Sequence, residues 1–206
     1  MAKSEITDGC VSEYVNWQQH AFTLIGKSDS QDADEIYSDL IEAVLGIRIG
    51  DGCIVSFCSS SGRLEELIDF LFEIIRLMPT SVDAFNHLGI ALMRQGDLSA
   101  AIGCFNQALE IRPCHPGLHH NLGSAFKEIG DLRSAITAYN TALALRPNWI
   151  VAIESLSKIS TGADREQLMD MIRALAVKEP GLLFDLEVIE IISTLGSEFA
   201  SEMLSC

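Results

Sequence analysis

Residues 116–149 read PGLHHNLGSAFKEIGDLRSAITAYNTALALRPNW, and residues 82–115, VDAFNHLGIALMRQGDLSAAIGCFNQALEIRPCH, follow the same grammar 34 residues earlier. Leu88-Gly89, Gly96-Asp97-Leu98, Ala101, Phe105, Ala108-Leu109 and Arg112-Pro113 recur as Leu122-Gly123, Gly130-Asp131-Leu132, Ala135, Tyr139, Ala142-Leu143 and Arg146-Pro147. Such a period belongs to a helix–turn–helix unit stacked on copies of itself. Each copy holds what a helical hairpin needs. Gly89 and Gly123, with the four recurring alanines, let two helices approach closely, while Leu88, Leu122, Phe105 and Tyr139 fill the space left. Gly96 and Gly130 offer the positive φ at which a helix ends. Asp97 and Asp131 stand where the next helix needs an N-cap, and Pro113 and Pro147 stop that second helix.

Outward from these two units the pattern wears. In residues 48–81, Gly62-Arg63-Leu64 precedes Gly96-Asp97-Leu98 by the same interval, and Leu64, Leu67, Ile68, Leu71, Ile74 and Ile75 fall on one helical stripe. The start of this segment, 48–60, is open between a first helix and a β-hairpin, with the repeat phase favouring helix. Residues 150–182 form a degenerate unit with Ile153 and Leu156 in first-helix core positions and Leu168, Ile172 and Leu175 in the second. Pro180 follows Pro147 by 33 residues, which implies a one-residue deletion near Thr161-Gly162-Ala163. Residues 183–206 read as a C-terminal capping helix, or a hairpin broken at Gly196, with Phe184, Val188, Ile191, Ile192 and Leu195 facing inward. Residues 1–47 are an acidic helical segment, with candidate helices over 9–26 and from Ile36 to Leu45 joined by a linker at 26–30. The fold class is all-α, a right-handed superhelical solenoid of antiparallel helix hairpins.

Composition bounds the function. A hydrophobic fraction of 48% supports a packed core and excludes a largely disordered chain. The net charge of −15 is uneven: −7 over residues 1–47, −2 over 48–81, zero over 82–149 and −6 over 150–206. No basic stripe offers itself to a phosphate backbone, so nucleic acid is not an expected partner. The acidic flanks mildly favour a basic or neutral partner segment, though acidity also serves solubility. MAKSEITDGC has no basic stretch ahead of an apolar run, so no secretory leader is expected. No run reaches the roughly 18 apolar residues that cross a bilayer, so neither is membrane insertion, and the chain reads as cytoplasmic. The six cysteines form no CxxC pair and read as free thiols. The apolar last helix leaves a homo-oligomer open.

These residues resemble the tetratricopeptide repeat family. Phe85, Leu88-Gly89, Leu92, Ala101, Phe105, Ala108 and Pro113 carry the likeness in one unit. Leu122-Gly123, Phe126, Ala135, Tyr139, Ala142 and Pro147 carry it in the next, with His119 where a bulky apolar residue is usual. The wording HNLGSAFKEIGDLRSAITAYNTALALRP is most similar to the arrays attached to O-linked N-acetylglucosamine transferases. The resemblance implies a concave groove lined by first helices, in which a recurring asparagine grips peptide backbone. Asn121 matches that asparagine, and His87 and Ser155 replace it in the neighbouring units. The Lys-x-x-x-Asn pattern of carboxylate clamps is missing: Asn86 with Ile90, and His120 with Ser124, stand there instead.

The resemblance places Asn86, His87, Met93, Arg94, His120, Asn121, Lys127, Glu154 and Lys158 on the peptide-binding face, with Asp83, Ile90, Ser124, Glu128 and Ser155 among them. Amides, imidazoles, a thioether and charges of both signs suit a peptide with polar and apolar contacts. No GxSxG, GxxxxGK[ST] or HExxH occurs, so no catalytic residue and no cofactor is expected. Cys114, His115, His119 and His120 have no closed metal-ligand spacing, so no metal site is expected either. The function expected is a non-enzymatic adaptor or scaffold binding a protein or peptide segment. Alternatives are a chaperone for secretion or assembly clients, and a targeting subunit beside a glycosyl- or sulfotransferase.

Overall fold

A computed structural model describes Gly62, residues 64–178 and residues 186–196. The expectations for residues 1–47, for 48–60, for Pro180 and for Phe184 lie outside the described residues. Those described form helices joined by turns: α1 (Leu64–Leu77), α2 (Val82–Gln95), α3 (Leu98–Ile111), α4 (Pro116–Ile129), α5 (Leu132–Leu145), α6 (Ile150–Ser157), α7 (Ala163–Lys178) and α8 (Leu186–Leu195). They fall into two compact units that part between Ile111 and Arg112.

In the first unit α2 packs on α3 and α1 packs on α2. The apolar stripe expected from Leu64 onward is α1, which buries Leu67, Ile68, Phe70, Leu71 and Ile74. Ser81 starts α2: its hydroxyl accepts from the Ala84 amide at 3.2 Å, satisfying a donor the helix cannot. Gly96 ends that helix at φ +95°, and the Asp97 amide reaches back to the Leu92 carbonyl at 3.0 Å. Asp97 then caps α3 through Oδ1, which accepts from Ala100 N at 3.0 Å. The close approach expected at Gly89 is real. A Cβ built there would lie 2.5 Å from Cε1 of Phe105, a ring with no solvent exposure.

The second unit repeats this construction and extends it. Gly130 ends α4 at φ +92°, and Asp131 caps α5 by accepting from Ser134 N at 3.1 Å. The Ser134 hydroxyl also donates to Asp131, and these bonds hold the carboxyl below its ordinary pKa. A Cβ at Gly123 would sit 2.9 Å from the Tyr139 ring. Next, α6 packs on α5, and α7 and α8 pack on α6. One core runs through them, from Tyr139 and Leu143 through Ile153, Leu156, Leu168 and Ile172 to Ile191 and Ile192. Each large side chain so buried contributes about 1.5–3 kcal/mol. Val188, Ile191, Ile192 and Leu195 of α8 are spent on this core. Their apolar face is therefore not displayed as a self-association surface.

The degenerate unit differs from the intact one in a way the spacing only partly conveys. α6 has 8 residues against 14 in α4, and α7 has 16 against 14 in α5. The turn carrying the inferred deletion runs from Lys158 to Gly162, where φ is +55°. Ser157 and Ser160 are buried there, and each donates to a carbonyl of the preceding turn, Glu154 at 2.8 Å and Leu156 at 2.6 Å. Hydroxyls bonded back in this way share the carbonyls of the last turn with its backbone amides and leave neither buried hydroxyl unpaired.

Candidate functional site

In the second unit, α4 and α6 are successive first helices, and α5 packs against each of them. The stripe of α4 that holds His120, Asn121, Ser124 and Lys127 is half-buried throughout. The matching stripe of α6 holds Val151, Glu154, Ser155 and Lys158. Val151 is 47% exposed, and Lys158 is exposed and paired to the Glu154 carboxylate at 2.6 Å. That pairing raises the Lys158 pKa.

His120 joins the two stripes. Its Nε2 lies 3.2 Å from the Ser155 hydroxyl, and its ring centroid stands 4.9 Å from Trp149 and 5.3 Å from Tyr139, tilted to both. Ser155 donates its own proton to the Val151 carbonyl at 2.8 Å. The Ser155 oxygen can therefore only accept, and Nε2 of His120 carries the hydrogen. Burial holds the His120 pKa below its ordinary value of 6.5. The Asn121 side chain, hydrogen-bonded to the ring, works against that shift, and the charge of Lys127 adds to it.

A second polar relay lies beneath. Ser124 donates to the His120 carbonyl at 3.1 Å, so the Tyr139 hydroxyl donates to Ser124 Oγ, also at 3.1 Å. Tyr139 has no solvent exposure, and without Ser124 its hydroxyl would be a buried orphan. The first unit has Ile90 and Phe105 at the corresponding positions, where no hydroxyl needs a partner. Arg146 completes the patch, its guanidinium 5.6 Å from the Trp149 ring centroid.

The structure thus brings together His120, Asn121, Lys127, Glu154 and Lys158 on one unit. In the other unit, α2 carries Asn86 and Met93 half-buried and Arg94 exposed. His87 departs from the expected display: it is 4% exposed. An imidazole enters such burial more readily than a lysine or arginine side chain. His119, at the position where a bulky apolar residue is usual, is only half-buried and reaches the Pro113 carbonyl at 2.9 Å. His115 caps α4, with Nδ1 accepting from Leu118 N at 3.2 Å. These imidazoles with His120 thus serve three separate bonds. Among the described residues no three His, Cys, Asp or Glu side chains converge as a metal site.

Trp149 and Arg146 were missed by sequence reasoning, since the first unit has His115 and Arg112 there and neither looks like a site. The signal that could have found the patch is the joint change from Ile90 and Phe105 to Ser124 and Tyr139.

Residues 80–148 match the tetratricopeptide repeat family, and this part of the chain is built of tetratricopeptide repeats. No curated protein matches the chain. Among solved structures, the crystal structure of MamA is similar at 18% identity and a TM-score of 0.51, covering 100% of this chain and 96% of that one. A second MamA crystal structure is 20% identical, with a TM-score of 0.54 and coverage of 80% and 92%. A mutant O-GlcNAc transferase of Thermobaculum terrenum is 21% identical at a TM-score of 0.51, covering 60% of this chain and 24% of the transferase. At these identities the likeness is one of fold. Among the described residues no helix is long and apolar enough to cross a membrane.

Proposed function

We propose that the protein is a non-enzymatic adaptor that captures a segment of a partner protein, with the α4–α6 face of its second unit as the main contact. One observation carries this reading. The face carries the His120–Ser155 contact between α4 and α6 above a shared apolar core, and it keeps Asn121, Ser124 and Lys127 half-open to solvent beside an exposed Val151. An amide that can grip peptide backbone, a cation and an exposed apolar contact are what an extended segment requires. The acidic segments flanking the repeats favour a basic or neutral stretch of partner.

The test is capture of a peptide selected from a displayed random library on the intact chain. Replacing Asn121 and Lys127 together with alanine abolishes capture and leaves the thermal melt of the helices in place. Capture that survives the double change removes the face from consideration.

A further inference from the structure

The turn from Arg146 to Trp149, which borders the α4–α6 face, holds a cation in a fixed place. Its backbone is closed: the Trp149 amide donates to the Arg146 carbonyl at 3.4 Å, and Pro147 restricts φ at the second position of the turn. Arg146 is the C-cap of α5, donating its own amide to the Ala142 carbonyl at 2.9 Å, and Trp149 is the N-cap residue of α6. Both ends of the turn are therefore anchored in helices. The indole packs against the core of the second unit, with the His120 ring centroid 4.9 Å away. Over that anchored ring lies the Arg146 guanidinium, 5.6 Å from its centroid. The corresponding turn of the preceding repeat ends instead in His115, whose imidazole is committed to capping α4.

Most polar groups nearby are already answered. Ser155 donates to the Val151 carbonyl and accepts from His120, and Ser124 donates to the His120 carbonyl and accepts from Tyr139. The Glu154 carboxylate is held by Lys158. Arg146 differs: it is exposed, and among the described residues its guanidinium meets the indole and no carboxylate. A guanidinium leaning on an aromatic ring still has its N–H donors to give, and their planar fork matches a carboxylate.

We propose that Arg146, backed by Trp149, is a specificity-determining residue of the α4–α6 face and takes a carboxylate side chain of the captured segment. The proposal rests on the adaptor reading of that face. The acidity of the whole chain bears on the segment as a whole and favours a basic or neutral stretch, whereas Arg146 bears on one residue within it. The ring narrows the positions open to the guanidinium, so less freedom is lost on binding than at an isolated surface arginine. Val151, exposed in the first turn of α6, offers an apolar contact to a neighbouring residue of the segment.

The experiment titrates the full chain with the blocked peptide acetyl-Ala-Ala-Glu-Ala-Ala-amide and with its glutamine analogue. It follows the Arg146 Nε–H resonance, assigned by its loss in Arg146→Lys. The glutamate peptide is expected to shift that resonance, and the glutamine peptide to leave it in place. Peptides selected from the random library are expected to share an aspartate or glutamate. Exchanging that residue for its amide should weaken capture about five- to tenfold in the wild type and in Arg133→Gln, which removes an exposed cation from α5, and should change nothing in Arg146→Gln. An Arg146 resonance that ignores the glutamate peptide, or answers both peptides alike, overturns the proposal, as does capture indifferent to Arg146→Gln. Failure of the chain to select any peptide counts against the adaptor reading instead, and the resonance titration then decides the carboxylate site alone.

Discussion

Replacing Gly89 with alanine and replacing Gly103 with alanine are the same chemical change in neighbouring helices of one unit, and they should move stability in opposite directions. In a helix interior, glycine to alanine gains about 1 kcal/mol from backbone entropy and propensity. At Gly103, exposed on α3, a Cβ would have no atom within 4 Å, so the gain stands uncorrected. At Gly89 the new Cβ would lie 2.5, 2.8 and 2.9 Å from Cε1, Cζ and Cδ1 of Phe105. Three atoms of one ring are involved, and the ring is fully enclosed, so it cannot swing clear and α2 must draw away from α3. Overpacking of this kind costs about 1–3 kcal/mol, and contacts this short place it at the upper end. The net expectation is a loss of about 2 kcal/mol for Gly89→Ala against a gain of up to about 1 kcal/mol for Gly103→Ala. Urea unfolding followed by circular dichroism reads both, as midpoints moved apart on either side of the wild type. A Gly89→Ala protein as stable as Gly103→Ala would refute the idea that the Leu-Gly signature exists to seat the aromatic ring.

Three further outcomes follow from the second unit and the thiols. Tyr139→Phe should lose about 1 kcal/mol of stability, and its effect should largely vanish in a Ser124→Ala background, because the two hydroxyls form one bond. His120 has a lowered folded-state pKa, so the unfolded chain takes up the proton first. Stability should therefore decline as pH falls below about 6.5, and His120→Gln should flatten that part of the denaturation profile. Burial, aided by the charge of Asp97, pushes the Cys104 thiol up to about 11, while Cys114 is exposed. Alkylation of the native protein followed by peptide mass mapping should find Cys114 modified and Cys104 spared.

The repeats were legible because each signature residue is the imprint of a contact. Gly89 with Phe105, and Gly123 with Tyr139, are both sides of one helix crossing, and sequence shows both sides. The glycine and aspartate turns were legible for the same reason: a left-handed residue followed by a cap leaves little choice of residue type. The remodelled third hairpin was only half legible. The core positions of α7 kept their 33-residue offset, but the shortening of α6 is absorbed by hydroxyl-to-backbone bonds at Ser157 and Ser160, which leave no periodic trace. The candidate face shows the same division. Its stripe could be read from helical spacing, whereas the meeting of His120 with Ser155 and Trp149 depends on side chains reaching between helices. The burial of His87 likewise depends on what surrounds it, and one position in a stripe carries no sign of that.

The most direct measurement is backbone chemical-shift mapping of the selected peptide on the isotope-labelled chain. Capture by the α4–α6 face predicts that the perturbed amides cluster at His120, Asn121, Ser124, Glu154, Ser155 and Lys158, with α5 positions such as Thr137 and Thr141 unchanged. Perturbations centred on the exposed side of α5, or spread without a focus on α4 and α6, would contradict it.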